Sequence, residues 1–171
     1  FLQLLRRSLS ECVVLSTCNR TEVYAVSESA DIDVKVYEDL LINFKGAEDV
    51  VSHEHFFALI SCSATQQLFN VGTSIDSRVI GDSQILRQLR TAYDLARQNG
   101  CTGKVLNQLF QRAFKLGKTT YTETSIHEGA VSVSLAAVEL SVNTFGSLRG
   151  RTVLVIGAGE MVRCTAEALN N

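Results

Sequence analysis

Residues 12–26 read CVVLSTCNRTEVYAV and contain the features that decide the fold of the amino-terminal part. Residues 12–16 form a short apolar run, and residues 22–26 alternate between apolar and polar side chains, as neighbouring strands do. The residues between them, 17–21, are polar and predict a turn. The sequence therefore predicts two strands joined by a turn that carries Cys18.

A helix and a further strand are predicted after this hairpin. Residues 31–44 place apolar side chains at helical spacing, and residues 55–60 have the composition of a third strand. The apolar positions of the helix are Val34, Tyr37, Leu40, Leu41 and Phe44. Residues 1–62 are therefore expected to form a small α/β unit.

Between residues 63 and 145 the pattern changes to a series of antiparallel helices, with glycine and no proline between them. The first contains Ala64, Leu68 and Val71. The second follows a cap at Asp82 or Ser83, has the inward stripe Ile85, Leu86, Leu89, Ala92, Tyr93 and Ala96, and stops at Gly100. The third runs from Lys104 to about Thr119, with Val105, Leu106, Leu109, Phe110, Ala113 and Phe114 inward. The fourth runs from Val131 to Phe145.

The carboxyl-terminal residues predict the start of a nucleotide-binding domain. The apolar run 152–156 precedes Gly157, Ala158 and Gly159, and a helix-compatible stretch continues through Leu169. A strand, a glycine turn and a helix in this order open a Rossmann-type domain, although Val162 stands where the fingerprint has its third glycine. A glycine turn in a domain that binds no nucleotide is the alternative. The predicted fold class is α+β, followed by the first strand and helix of a Rossmann-type domain.

The composition excludes some classes of protein. The chain of 171 residues is 46% hydrophobic and has no apolar run of the length that a membrane span needs, so we expect a globular, cytoplasmic protein. Its five cysteines are odd in number and contain no Cys-x-x-Cys pair, which argues against a disulfide framework or a metal site. Because the sequence begins at Phe1 within a helical pattern, we expect it to belong to a longer polypeptide.

The net charge of −2 is unevenly distributed. Residues 78–118 contain eight basic and two acidic side chains, whereas residues 28–49 contain seven acidic and two basic ones. The basic side chains opposite the helical stripes are Arg87, Arg90, Arg97, Arg112, Lys115 and Lys118. They predict either a surface that meets a polyanion or a solvated helix face, and the composition leaves both open.

Cys18 is the strongest candidate for chemistry. It leaves the end of a predicted buried strand, and a thiol acts as a nucleophile in its thiolate form, which the guanidinium of Arg20 two residues away would favour. The alternative is that a cysteine beside a strand fills a small space in the core. We interpret Cys12, Cys62, Cys101 and Cys164 in that second way, because none has comparable neighbours.

Five motifs resemble those of the glutamyl-tRNA reductase family in their order and spacing, and the resemblance covers nearly the whole chain. They are residues 14–24 (VLSTCNRTEVY), 75–77 (IDS), 81–86 (GDSQIL), 129–134 (GAVSVS) and 155–160 (VIGAGE). The resemblance implies reduction of glutamyl-tRNA(Glu) to glutamate 1-semialdehyde with NADPH, the first committed step of 5-aminolevulinate and tetrapyrrole biosynthesis. It also implies that Cys18 takes the glutamyl group as a thioester, whose carbonyl then accepts hydride.

The same resemblance implies roles for further residues. The substrate-binding positions are Thr17, Asn19, Arg20, Ser77, Asp82, Ser83, Gln84 and Gln88. The NADPH-binding positions are Gly157, Ala158, Gly159, Glu160, Met161 and Val162. For Ser77 to Gln88, a simple helix cap and its flank remain the alternative. The implied partners are glutamyl-tRNA(Glu), a second copy of the full-length protein bound through a missing carboxyl-terminal domain, and the downstream aminomutase as a further candidate.

The chain departs from the family pattern at three places. Gln67 stands where the family has a histidine thought to assist the chemistry, and a glutamine cannot exchange a proton, so His55 is considered as a substitute. Asp82 and Ser83 replace a Glu-Pro pair. The family's first strand, most of its nucleotide-binding domain and its dimerisation domain are absent, so we expect weak NADPH binding and no complete hydride transfer.

The expected organisation is a catalytic domain at residues 1–145, divided at 62/63 into α/β and helical parts, and the start of an NADPH-binding domain at residues 146–171. Two other functions are kept as hypotheses. One is a non-catalytic paralogue that binds glutamyl-tRNA or a regulatory partner, which Gln67 motivates. The other is a nucleotide-binding module in which Cys18 has no role.

Overall fold

The hairpin predicted from residues 12–26 is present. The computed structural model describes residues 1–29, 31–78, 80–81, 84–127 and 133–170. A one-turn helix, α1 (Leu2–Leu5), precedes strands β1 (Glu11–Ser16) and β2 (Thr21–Val26). The strands are antiparallel, with Ser16 opposite Thr21, so residues 17–20 form the connecting turn. The prediction of two strands joined by this turn is therefore confirmed.

The predicted helices are also present. They are α2 (Val34–Lys45), α3 (Cys62–Gly72), α4 (Gln84–Gln98), α5 (Lys104–Glu123), α6 (Val133–Phe145) and α7 (Glu160–Leu169). The carboxylate of Asp33 caps α2 by accepting a hydrogen bond from the Lys35 amide at 3.1 Å, and Gly46 ends it with a left-handed φ of 59°. The predicted caps of α4, Asp82 and Ser83, and the predicted first residue of α6, Val131, lie outside the described residues.

Two predicted strands are wrong. Residues 53–55 form a 3₁₀ turn, residues 56–60 have no regular structure, and residues 152–156 are likewise irregular. A strand needs a neighbour for its backbone hydrogen bonds, and neither segment pairs with another strand in the described part of the chain. Helix α7 forms because a helix closes its own hydrogen bonds. The described structure therefore contains the helix but not the strand of a Rossmann-type opening.

One hydrophobic core joins the hairpin to α3, α4 and α5. Strand β1 packs against α4 and contributes the fully buried Val13 and Leu15. The ring of Phe110 on α5 stacks on Tyr93 of α4 at 5.4 Å and meets Tyr24 of β2 edge-on at 5.5 Å. These aromatic contacts, worth about 0.5–1.5 kcal/mol each beyond the area that they bury, connect three elements. The predicted inward stripes are confirmed except at Val105, which is 51% exposed.

Helices α3 and α5 approach each other closely at two glycines. A Cβ atom on Gly117 would lie 2.3 Å from the carbonyl oxygen of Gly72, and one on Gly72 would lie 3.3 Å from the carbonyl oxygen of Ala113. Only glycine at position 117 allows the two backbones to come this near, whereas a Cβ at position 72 would make a tight contact. This contact positions α3, which carries Gln67, relative to α5. In the described residues, no helix has the length and apolar character that a membrane crossing requires.

Candidate active site

The turn between the strands is shaped by the hydroxyl group of Thr17. Its Oγ1 accepts hydrogen bonds from the backbone amides of Asn19 at 3.2 Å and Arg20 at 3.1 Å. The Thr17 amide in turn donates to the carbonyl oxygen of Arg20 at 2.9 Å. Thr17 therefore closes the turn from within, as the short hydroxyl side chains that favour turns do.

Cys18 lies at the exposed tip of this turn, where a substrate can reach its sulfur. Cys12 and Cys101 are buried, as predicted for core cysteines, and Cys164 is half-buried. Burial, together with the neighbouring Cys101, raises the pKa of the Cys12 thiol to about 12, which keeps it protonated and unreactive. The prediction that Cys62 fills the core is wrong: it stands exposed at the first turn of α3.

The guanidinium of Arg20 is held by two carboxylates. Its Nη1 donates to Oδ2 of Asp76 at 2.9 Å and to Oε1 of Glu22 at 3.0 Å, and its Nη2 donates to the carbonyl oxygen of Asp76. The Arg20 side chain is only 13% accessible. Burial favours the neutral guanidine, but the hydrogen bonds and charges of Asp76 and Glu22 outweigh it and raise the pKa of Arg20. No described residue accepts a hydrogen bond from Nε of Arg20.

Gln67 binds the same two carboxylates from α3. Its Nε2 donates to Oδ2 of Asp76 at 2.8 Å and to Oε1 of Glu22 at 3.1 Å. The hydrogen bond from Arg20, aided by the one from Gln67, lowers the pKa of Asp76 below its ordinary value. The Tyr24 hydroxyl donates a hydrogen bond to Oε2 of Glu22. Burial, and to a smaller extent the charge of that carboxylate, raises the pKa of Tyr24 well above its ordinary value. Arg20, Glu22, Tyr24, Gln67 and Asp76 therefore form one network, called the Arg20 network below.

The loop that carries Asp76 is itself anchored. The amides of Ile75 and Asp76 donate to the carbonyl oxygen of Asn70 at 3.0 and 3.2 Å, and the Tyr121 hydroxyl donates to the carbonyl oxygen of Gly81. Ser77 is half-buried beside Asp76. The same loop leads into α4, which begins at Gln84. The structure thus brings the loop of residues 74–78, a predicted substrate region, to the reactive turn.

The other predicted substrate residues are less closely tied to Cys18. Asn19 is exposed on the turn, Gln84 is half-buried at the start of α4, and Gln88 is exposed one turn further. Asp82 and Ser83 lie outside the described residues. The Nδ1 of His55 accepts a hydrogen bond from the backbone amide of Ser52 in its own turn at 3.1 Å, and no contact with a described residue links His55 to Cys18.

The glycine turn before α7 has part of the geometry that a dinucleotide needs. Gly157 has a φ of 138°, and Gly159 caps α7, with no atom within 4 Å of the position that its Cβ would take. Open space at a helix N-terminus suits a pyrophosphate. The side chain of Val162 reaches back to within 3.0 Å of a Gly157 Cβ position, so it fills the turn from the helix side. The turn therefore leaves space for a phosphate group at the N-terminus of α7. The side chains of Glu160 and Met161 lie outside the described part of the chain.

Glu22, Tyr24 and Asp76 are members of the site that were not predicted from the sequence. A signal was present for two of them, because Glu22 and Tyr24 alternate on the polar-flanked strand that follows the turn and so share one face. Asp76 precedes the predicted Ser77, but its contact with Arg20 spans 56 positions of sequence and has no local signal.

Comparisons with known proteins agree on the family. The family model described as "Glutamyl-tRNAGlu reductase, N-terminal domain" matches residues 1–124. The chain is 42% identical over 164 residues to the glutamyl-tRNA reductase of Brevibacillus brevis, covering 96% of this chain and 36% of that protein. It is 44% identical over 151 residues to that of Chlorobaculum parvum, covering 88% of this chain and 35% of that protein.

A solved structure gives the same result. The glutamyl-tRNA reductase from Methanopyrus kandleri superposes with a TM-score of 0.66 and 37% sequence identity, over 98% of this chain and 39% of that one. The mixed fold of helices and a small two-stranded sheet is thus that of an amino-terminal reductase domain. The chain belongs to the glutamyl-tRNA reductase family, and it spans about a third of the length of the relatives that it matches.

Proposed function

We propose that this chain performs the acyl-transfer half of glutamyl-tRNA reduction, with Cys18 as the nucleophile. The observation that carries the proposal is the exposed thiol of Cys18 on a turn whose next charged residue, Arg20, is fixed by Glu22, Gln67 and Asp76. An accessible sulfur two residues from an ordered guanidinium is suited to an acyl group that carries a carboxylate. Membership of the glutamyl-tRNA reductase family supports glutamyl as that group.

The first step exchanges an ester for a thioester. The thiolate sulfur of Cys18 attacks the carbonyl carbon of the glutamyl ester, a sulfur–carbon bond forms, and the bond from that carbon to the ribose oxygen breaks. The ribose oxygen takes up the proton that the thiol has released and leaves as the hydroxyl at the tRNA 3′ end. The carbonyl then remains at the oxidation level of a carboxylic acid, in a form that accepts hydride.

The Arg20 network distinguishes the two ends of the glutamyl group. Its two carboxyl groups outnumber its one guanidinium, so the α-ammonium group of the substrate is attracted to the exposed side of Asp76, whose side chain is 50% accessible. The side-chain carboxylate of the substrate takes the Nε edge of Arg20, which the described residues leave without an acceptor. Thr17 and Asn19 hold the turn against the acyl group, and Ser77, Gln84 and Gln88 are placed to complete the pocket with Asp82 and Ser83.

Reduction completes the proposed reaction. When bound, NADPH would supply the hydride that converts the acyl group to glutamate 1-semialdehyde, for 5-aminolevulinate and tetrapyrrole synthesis. Residues 157–162 would hold its phosphates at the N-terminus of α7. The proposal includes a catalytic domain at residues 1–145, the start of an NADPH-binding domain at residues 146–171, and a cytoplasmic location. It also includes a dimer of the full-length protein and the aminomutase as a possible recipient of the aldehyde.

One observation favours a second function, a paralogue that binds glutamyl-tRNA without reacting. The Nε2 of Gln67 is used on two carboxylates, and an amide cannot carry a proton to or from the reacting groups. In that case the Arg20 network would bind the glutamyl group and Cys18 would remain unmodified.

Intact-protein mass spectrometry separates these functions. The chain is mixed with glutamyl-tRNA(Glu) without NADPH and compared with Cys18→Ser and with Cys62→Ser, a matched control because Cys62 is also exposed. We expect a glutamyl adduct in the parent and in Cys62→Ser that hydroxylamine removes, and none in Cys18→Ser. An adduct that survives Cys18→Ser would refute the proposal. Binding of the tRNA without any adduct would favour the paralogue.

Alkylation rates provide an independent measurement. Cys18 and Cys62 are both exposed, so a difference in their rates of reaction with iodoacetamide reflects chemistry rather than access. We expect Cys18 to react faster than Cys62, and Arg20→Leu to reduce that advantage. Equal rates at the two thiols in the parent chain would count against an activated nucleophile.

A further inference from the structure

Helices α4 and α5 are rich in basic residues. They contain seven basic residues and only two acidic ones, Asp94 and Glu123, in a chain with a net charge of −2. Three of these side chains lie along one side of α4, and three lie along one side of α5. Together they are called the basic stripe here: Arg87, Arg90 and Arg97 on α4, and Lys104, Lys115 and Lys118 on α5. All six are exposed, and none forms an ion pair with a described residue.

The two halves of the basic stripe lie side by side. The spacing of Arg87, Arg90 and Arg97 places them on one side of α4, and the guanidinium of Arg90 lies 4.3 Å from the ring centre of Phe114 on α5. Lys115 follows Phe114, and Lys118 follows one turn later on the same side of α5. The antiparallel helices therefore present one predominantly positive surface along their seam, in which the same spacing places a single carboxylate, Asp94, between Arg90 and Arg97.

One end of this surface starts at the candidate active site. Helix α4 begins directly after the loop that carries Asp76, and Tyr121 at the end of α5 is bonded to Gly81 of that loop. Arg87 and Lys118 are thus the members nearest the loop, and Arg97 and Lys104 are the farthest. The 15 residues of α4 span about 22 Å at roughly 1.5 Å per residue.

We propose that the basic stripe binds the sugar-phosphate backbone of the RNA that delivers the glutamyl group. This inference rests on the proposed function, which places the 3′ end of the RNA at Cys18. From there, an RNA stem lying along α4 and α5 brings successive phosphates to arginines and lysines that pair with no described carboxylate, and their donors suit phosphate oxygens without reading base sequence. A stripe of about 22 Å matches several phosphates of a stem.

Charge reversal tests the stripe. The variant Arg87→Glu/Arg97→Glu/Lys118→Glu leaves Arg90 on its aromatic ring, and Arg7→Glu/Lys45→Glu/Arg149→Glu is the matched control, because it makes the same charge change at three exposed positions elsewhere. Binding of uncharged tRNA(Glu) is measured by fluorescence anisotropy over a series of salt concentrations. We expect the stripe variant to lose at least about tenfold in affinity at low salt, with a shallower dependence on salt, and the control to lose less than about threefold. Similar affinities of the two triple variants for the tRNA would overturn the proposal. That result would also be the one expected if the basic stripe binds a partner other than RNA.

A small substrate separates this inference from the proposed function. Glutamyl ester of adenosine offers the same acyl group without an RNA stem, so the stripe variant should form the Cys18 adduct from it at the parent rate, within about twofold. The parent chain could form no adduct from either substrate while the stripe variant still binds tRNA more weakly than the parent does. In that case the proposed chemistry fails and the docking surface stands. If the stripe variant loses both its affinity for tRNA and its rate of adduct formation with the small ester, a role restricted to RNA binding is refuted.

Discussion

Arg20 and Asp76 lie 56 positions apart in sequence, and Nη1 of Arg20 is 2.9 Å from Oδ2 of Asp76. The same arginine also donates from Nη2 to the backbone carbonyl of Asp76, so both the side chain and the main chain of that residue hold it. This pair joins the turn that carries Cys18 to the loop between α3 and α4. The orientation of the reactive turn is therefore determined by a tertiary contact as well as by its own hydrogen bonds.

Removing the side-chain amide group of Gln67 should raise the pKa of Asp76. The ordinary aspartate pKa is about 3.9, and the hydrogen bonds from Arg20 and Gln67 lower it here. Gln67→Leu deletes one of these donors, so we expect a higher pKa by carbon-13 NMR of the carboxyl group. Gln66→Leu is the control, since Gln66 is exposed on the same helix. An Asp76 pKa that is the same in both variants would show that Gln67 does not act on it.

The same pair predicts how stability changes with pH. A lowered pKa in the folded state means that ionised Asp76 stabilises the fold above its unfolded pKa, and that this contribution disappears as pH falls through the folded value. The parent should therefore be more stable than Asp76→Asn at pH 7, and the difference should shrink in acid. Urea unfolding at a series of pH values measures it. A difference that grows on acidification would have the wrong sign for an ion pair with Arg20.

Thr17→Val should disturb the reactive turn without unfolding the chain. The substitution keeps the β-branched shape but removes the oxygen that accepts from the amides of Asn19 and Arg20. We expect a loss of stability of about 0.5–1.5 kcal/mol and a larger relative loss in the rate of glutamyl transfer to Cys18. Thr17→Ser, which retains the oxygen, should restore most of that rate. Equal rates for the two variants would mean that the hydroxyl is dispensable to the turn.

Much of the local structure could be predicted from the sequence. Helices α4 and α5 have long apolar stripes with polar opposite faces, and such a pattern selects a helix whatever lies around it. The apolar runs at residues 56–60 and 152–156 were predicted to lie in strands, but neither forms one, because a strand depends on a partner for its backbone hydrogen bonds. Leu154 and Ile156, which are 83% and 87% exposed, have none in the described part of the chain.

The candidate site was only half predictable, for a related reason. Cys18 and Arg20 were singled out by the motif that contains them, and Gln67 only by the resemblance to the family, as a departure from its pattern. The pairing of Arg20 with Asp76, and the use of Gln67 as a donor to two carboxylates, depend on where α3 docks against the hairpin. That docking depends on close approaches such as the one at Gly72 and Gly117, which composition alone does not reveal.

Gly117→Ala should be strongly destabilising for an exchange of one methyl group. The new Cβ would lie 2.3 Å from the backbone oxygen of Gly72, so α3 and α5 would have to separate. Alanine is the better helix former by about 1 kcal/mol, yet we expect a net loss of about 1–3 kcal/mol in urea unfolding from overpacking. Gln111→Ala, at an exposed position of the same helix, is the control and should change stability by less than about 0.5 kcal/mol. A stabilised Gly117→Ala variant would contradict the close approach.

Glu11 should be the most important polar residue for the stability of α5. From strand β1, its Oε1 accepts a hydrogen bond from the Val105 amide at 3.0 Å, and its Oε2 accepts one from the Leu106 amide at 2.7 Å. These amides belong to the first turn of α5, where no helical carbonyl is available to them, and the carboxylate also meets the positive end of the helix. Glu11 is only 7% exposed, so water cannot replace it fully.

Glu11→Ala should therefore cost about 2–4 kcal/mol of unfolding free energy, because the buried amide of Leu106 and the partly buried amide of Val105 lose a charged acceptor. Glu11→Gln keeps one side-chain oxygen and should lose about half as much, whereas Glu28→Ala, at an exposed position, should have little effect. Urea unfolding followed by circular dichroism gives the three values, and hydrogen exchange of the Val105 and Leu106 amides locates the change. If Glu11→Ala is as stable as Glu28→Ala and leaves that exchange unaltered, the link between β1 and the start of α5 does not exist in solution.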